Sequence, residues 1–256
     1  MHIADGCEGY TDMISQQPQG ERARGVFISF EGGDGAGKST HLQLVAEALR
    51  ARGERVVCLR EPGGTIIGEQ LRSTVLDPGN YIMTDECELL IYEAARAQLV
   101  SQIIRPALDA GSTVLCDRFA DSTVAYQAYG RGLDRAFVDR ANEFACQGVW
   151  PDRTILMMTG GDAEVGLGRA TRHKHADRLE MAGTDFHERV NAAFLELARA
   201  DSQRVRLVVS DDTKPATARK VFSELADLFP WMADKSECTD AYFEALVLKR
   251  ETMGRG

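Results

Sequence analysis

Between Glu31 and Thr40 the chain reads EGGDGAGKST: glycines at 32, 33, 35 and 37, then at once Lys38, Ser39 and Thr40. Glycine loses more conformational freedom on folding than any other residue, so such a cluster marks a tight turn or a place where backbone must touch a ligand. Gly32-x-x-x-x-Gly37-Lys38-Ser39 has the spacing of a phosphate-binding loop. In such a loop successive backbone N–H groups converge on an anion, and the dipole of the following helix adds to the attraction. On this reading Gly32, Gly33, Asp34, Gly35, Ala36, Gly37, Lys38, Ser39 and Thr40 cradle the phosphates of a nucleoside triphosphate. Lys38 reaches the β- and γ-phosphates and the Ser39 hydroxyl ligates Mg2+. The metal needs a carboxylate partner at a strand end, and TVLCDR supplies one at Asp117.

Three further clusters carry polar chemistry. In REPGGT (60–65), Arg60 can hold an anion, Glu61 and Pro62 form a turn, and two glycines allow close approach. In LLIYEAARAQLV (89–100), Tyr92 and Arg96 stand at i, i+4 on one helix face. An aromatic plane beside a guanidinium suits a nucleobase; the bland alternative is a core-facing Tyr and a solvated Arg. In DRFADSTVAYQAYGRG (117–132), Arg118 follows the acid, Ser122 and Tyr126 share a helix face, and Gln127 lies beside them.

The elements that must position these groups alternate along the chain. Strand candidates are VFISF (26–30), RVVCLR (55–60), TVLCDR (113–118), TILMM (154–158) and RVRLVV (204–209). Their nearly continuous Val, Ile and Leu suit parallel strands covered on both faces. Helical periodicity fills the gaps: Leu42, Val45, Ala46 and Leu49 after the glycine loop, 85–105 with Pro106 as its stop or bend, 185–200 and 214–229. The expected fold is therefore α/β: a doubly wound, five-stranded parallel sheet with helices on both faces and ligands at the carboxyl ends of the strands. Residues 1–24 read as a loosely ordered extension, 25–229 as one domain, and 230–256 as a loosely attached tail with room for one helix.

Composition narrows the partners. Of the 256 residues, 39 are acidic and 30 basic, for a net charge of −9, which argues against a broad nucleic-acid surface but not against small phosphorylated ligands. The six cysteines (7, 58, 87, 116, 146 and 238) form no CxxC pair and read as buried thiols in a reducing compartment. With no apolar run of membrane length and no signal-peptide core, a cytoplasmic location is expected.

A guanine-reading NKxD motif occurs nowhere, which sets aside a GTPase switch. Instead FEGGDGAGKST, REPGGT, YEAARAQL, DRFADSTVAYQ, RGLD, PD and DRLE follow one another in an order that resembles the bacterial thymidylate kinases, from about Val26 to about Leu228. The resemblance implies the P-loop NTPase fold, transfer of the γ-phosphate of Mg-ATP to dTMP, and a homodimer through packed helices. It implies that Asp34 faces the acceptor phosphate, that Arg60 and Arg118 clamp it, and that a cis bond precedes Pro62. Tyr92 would stack on thymine, Arg96 would bond its O4 edge, Ser122 and Gln127 would complete base recognition, and Tyr126 would lie under the sugar. A kinase for another mononucleotide and a degenerate nucleotide-binding regulator are the competing readings; the Arg60–Arg118 pair favours an acceptor that already carries a phosphate.

The family also implies a mobile lid, here about 169–182. RATRHKHADRLE (169–180) is the most basic stretch of an acidic chain. A solvated loop is its bland reading, and His173 and His175 lack the supporting ligands of a metal site. A mobile arginine closing on the transferred group is the better use. Because Gly35 follows Asp34 where some members carry an arginine, the lid must supply it; Arg169 and Arg172 are the candidates, with Lys174 behind them. Arg169→Ala or Arg172→Ala should lower kcat by about a hundredfold or more. Wild-type kcat in both single mutants and in the double mutant would end the assignment.

Overall fold

A computed structural model describes residues 24–160, 178–179, 181–210 and 213–253. The strands are β1 (Phe27–Glu31), β2 (Val56–Arg60), β3 (Thr113–Asp117), β4 (Arg153–Met158) and β5 (Val205–Val209). They form one parallel sheet in the order β2-β3-β1-β4-β5, with Phe27 opposite Val114 on one side of β1 and Ile28 opposite Arg153 on the other. β1 is buried throughout, as an apolar run in a central parallel strand should be, while the edge strands β2 and β5 are only partly covered.

The two faces of β1 feed two cores. Ile28 and Phe30 pack with Leu42, Val45, Ala46 and Leu49 of α1 (Lys38–Ala51), the residues whose spacing marked that helix. Phe27 turns the other way, edge-to-face with Phe119, into a cluster with Leu99 and Ile104. The chain connects these layers through α2 (Ile66–Leu76), α3 (Asp85–Leu99), α4 (Arg105–Asp109), α5 (Ala120–Thr123), α6 (Arg135–Cys146), α7 (Thr184–Ala200) and α8 (Lys214–Leu225). Thr65 caps α2 by accepting from Gly68 N, and Thr84 caps α3 from Cys87 N.

Pro106 neither stops nor breaks its helix. The chain widens into a π turn over Val100–Ile104 and resets at Arg105, so the proline without an N–H falls in a first turn. A second π turn, Val124–Gly130, carries Tyr126 and Gln127 toward the carboxyl end of the sheet.

The tail is attached more firmly than its composition suggested. After a 3-10 turn at Pro230–Ala233, α9 (Asp240–Met253) lies against α1 and α8 and sinks Phe243, Leu246 and Val247 into the Phe30 core. Phe243 meets Phe222 edge-to-face at 5.0 Å, and Arg52 of the chain after α1 lies 3.9 Å over the Trp231 ring. The sequence reading missed this because nothing in the tail itself shows that Phe243, Leu246 and Val247 meet α1 and α8. Phe243→Ala should cost about 3–5 kcal/mol of folding stability, measured by urea unfolding; a loss below about 0.5 kcal/mol, the range of surface substitutions, would mean that the tail is not part of the core.

Candidate active site

The loop after β1 can be built only with glycine. At Gly32 φ is +125°, and a Cβ there would lie 2.0 Å from the Met157 carbonyl oxygen of the neighbouring strand. Gly37, at φ 95°, enters α1 from the left-handed region. Lys38 is buried, and its Nζ donates to the carbonyls of Gly32 (3.0 Å) and Gly33 (2.8 Å). Burial, and then the charge of Arg118, bring its pKa down to about 8 against the pull of Asp34, Asp117 and Glu31. Ser39 Oγ–H donates to the Asp117 carboxylate across the sheet. A hydroxyl and a carboxylate in contact are hard oxygen donors of the kind Mg2+ takes when phosphates complete its shell. Among the described residues no group of three His, Cys, Asp or Glu would hold a metal unaided.

Opposite the loop, Arg118 sits in the left-handed region at φ 73°, a conformation that costs a non-glycine residue on the order of 1–3 kcal/mol. Hydrogen bonds on both sides hold it there: Arg118 N donates to Phe30 O (2.9 Å), and Phe119 N donates to Glu31 Oε1 (2.7 Å). The guanidinium donates to Gly32 O (3.0 Å), Ser122 Oγ (3.2 Å) and Asp34 (2.5 Å). The group borders the cavity and lies over the Tyr126 ring, 5.1 Å from its centroid. Burial alone would raise the pKa of Asp34, but Arg118 and then Lys38 hold it at about 2.

Arg60 donates to Pro62 O (3.1 Å) and to Glu69 (2.9 Å), which also accepts from Gly64 N, and the Glu61–Pro62 bond is cis. Arg72 of α2 reaches the same Pro62 carbonyl at 2.9 Å. These groups face a cavity of about 660 Å³. Asp34, Gly35, Gly37, Lys38, Ser39, Thr40 and Asp117 line its donor side; Arg60, Glu61, Pro62, Tyr92, Arg96, Arg118, Ser122, Tyr126 and Gln127 line the rest. Gly32, Gly33 and Ala36 lie behind the loop's surface, with Ala36 O accepting from Ser210 Oγ after β5. Arg169, Arg172 and Lys174 lie outside the described residues.

One expectation needs correction. Arg96 is 1% exposed, and all five of its N–H groups are taken: two by Glu61 (2.9 and 2.7 Å), and one each by Glu93 (2.8 Å), Asn142 (2.6 Å) and Thr123 (2.9 Å). No donor is left for a base edge, and the group is not solvated either. Tyr92, one turn earlier, is half-buried on the cavity wall. Arg96 instead ties α3 to the turn before Pro62; burial lifts Glu61 to about 7 even against the pull of Arg96. Ser122 differs in part. Its proton goes to Glu31 (2.5 Å), so it meets the cavity as an acceptor. Tyr126 packs edge-to-face on Phe186 and Phe194, with its hydroxyl 3.4 Å from Asp34.

Glu31, Arg72, Thr123 and Leu179 escaped the sequence reading; the last three line the cavity and Glu31 stands behind it. Glu31 had one signal, a lone acid closing an apolar strand. The others depend on which helix faces meet.

Residues 30–220 match the family model described as thymidylate kinase. The chain is 47% identical over 186 residues to a thymidylate kinase of Pelobacter propionicus, covering 70% of this chain and 84% of that one. It is 43% identical over 212 residues to that of Geobacter sulfurreducens, covering 80% and 99%. A crystal structure of the thymidylate kinase of Ehrlichia chaffeensis superposes with a TM-score of 0.65 at 30% identity, over 79% of this chain and 98% of that one.

Glu31 supplies a test of the Arg118 turn. Burial, then the charge of Asp121, push its pKa from an ordinary 4.5 up to about 8. The folded state thus keeps a proton that the unfolded chain releases, and stability falls as pH rises through that interval. Glutamine has the same shape and no proton to lose. The wild-type melting temperature should therefore fall between roughly pH 5.5 and 7.5 while that of Glu31→Gln stays flatter. Parallel curves would place the ionisation elsewhere.

Proposed function

The chain belongs to the thymidylate kinase family and transfers the γ-phosphate of ATP to dTMP, giving dTDP; from that premise we propose how its residues divide the work. The observation that carries the reading is that the glycine loop and the acceptor-side arginines border one cavity, with the Asp34–Arg118 pair where the two sides meet.

The loop amides and Lys38 hold the β- and γ-phosphates of ATP. Ser39 and Asp117 would hold Mg2+, which neutralises charge on the phosphate oxygens when bound. Arg60 and Arg118 hold the acceptor phosphate. Asp34 keeps Arg118 turned toward the loop and faces the acceptor phosphate. The thymine ring lies on Tyr92, Gln127 meets its edge, and Tyr126 closes the sugar side. Arg96 and Glu61 are positioning residues that hold the wall on which Tyr92 stands. Arg169 or Arg172 supplies the arginine that covers the transferred group. Positioning and electrostatics carry such a transfer without a covalent intermediate.

The exposed Leu90 of α3 and Phe137 and Phe144 of α6 are apolar surface suited to a homodimer of packed helices. No described helix is long and apolar enough to cross a membrane, and a cytoplasmic location fits the free thiols of Cys58, Cys87, Cys116, Cys146 and Cys238.

Coupled ADP release measured across dTMP, dUMP, UMP, CMP and AMP tests the whole reading. dTMP should be turned over best, and Lys38→Ala should lower kcat by about 10²–10³. Preference for AMP or UMP would point to another mononucleotide kinase, and silence with every acceptor to a regulator.

A further inference from the structure

Behind the cavity wall, Glu88 on α3 is fully buried. Its two oxygens accept four hydrogen bonds. Oε1 takes the side-chain amide of Gln127 (2.8 Å) and Arg131 Nε (3.2 Å). Oε2 takes Arg131 Nη2 (2.9 Å) and Arg178 Nη2. That fills the capacity of a carboxylate. Burial alone would raise its pKa, but hydrogen bonds from Arg131 and Gln127 and the charges of Arg131 and Arg178 hold it below the ordinary range. Asp85, the other acid here, pairs with Arg131 at 3.3 Å. Glu88 is therefore an anion that accepts and never donates.

Gln127 has no such symmetry. It is 2% exposed and borders the cavity. Turned over, it would set Oε1 against the Glu88 oxygen, two acceptors in contact, and send the N–H2 to the cavity. The amide must give its N–H2 to Glu88 and its oxygen to the cavity. We propose that Glu88 determines base specificity at one remove: by fixing the Gln127 amide, it makes the base pocket present an acceptor, which selects a pyrimidine with a ring N–H donor over one whose ring nitrogen is bare. This rests on the reading that the base lies on Tyr92 beside Gln127. Thymine and uracil carry that N–H at N3, and cytosine does not. Glu88 itself touches no substrate and is a positioning residue.

The test uses dUMP and dCMP, which both lack the thymine methyl. In the wild type, kcat/KM for dUMP should exceed that for dCMP by about 10- to 100-fold, the scale of one unmatched buried hydrogen-bonding group. Glu88→Gln can accept or donate, so Gln127 is released to turn over. The dUMP:dCMP ratio should then narrow about tenfold or more while KM for ATP stays within about twofold. A merely structural role would lower both acceptors together, and an unchanged ratio overturns the proposal. Gln127→Leu separates the two readings. If it collapses the ratio while Glu88→Gln does not, the orienting role fails; if it leaves the ratio intact, the base placement itself fails. Should Glu88→Gln not fold, NMR of the wild type decides. The Gln127 N–H2 protons should be protected from exchange before and after dUMP is added, and rapid exchange would overturn the proposal.

Discussion

A guanidinium taken out of water keeps its charge and five N–H groups, and each must find an acceptor. This requirement organises the cavity. Arg96 spends all five on Glu61, Glu93, Asn142 and Thr123 and becomes part of the wall. Arg118 turns to Gly32, Ser122 and Asp34 and borders the cavity. Two arginines of the same sequence type are thus sorted into scaffold and reagent by how many carboxylates lie within reach. Glu61 and Glu93 hold Arg96, and Asp34 holds Arg118.

Such pairs are weak evidence for stability, because desolvating two charges offsets most of their attraction. What they provide is direction. Left-handed Arg118 would relax without Phe119 N on Glu31 and its own N on Phe30 O, and its guanidinium would leave the loop. The acidic overall charge is no obstacle. The cations that matter are few, lie in a poorly screened cleft, and face Asp34 and Asp117 at short range.

The fold was legible where one local pattern was enough. Five apolar runs became five strands, and the glycine spacing found the loop because its backbone must be left-handed or unhindered at Gly32 and Gly37. Arg60, Tyr92, Arg118, Tyr126 and Gln127, from three segments, line one cavity. Spacing could not tell that Arg96 would be consumed, since its acceptors lie 35 and 46 residues away on other elements as well as three residues away. For the same reason Glu88 looked like one more acid in the first turn of a helix, where Asp85 and Glu86 favour the dipole. Arg72 and the Phe243 stripe depended on packing between helices, which no window of sequence contains.

The family match ends at residue 220, yet the core beneath the phosphate loop does not. Phe30, Leu42 and Phe222 are covered by Phe243, Leu246 and Val247, all of which lie beyond that match. The opposite core, around Phe27, Phe119 and Val149, needs nothing beyond about residue 150. A ribosome making this chain therefore releases the two cores on different schedules: the Phe27 core can consolidate once about 150 residues are out, and the core beneath the phosphate loop waits, half-covered, until α9 has emerged.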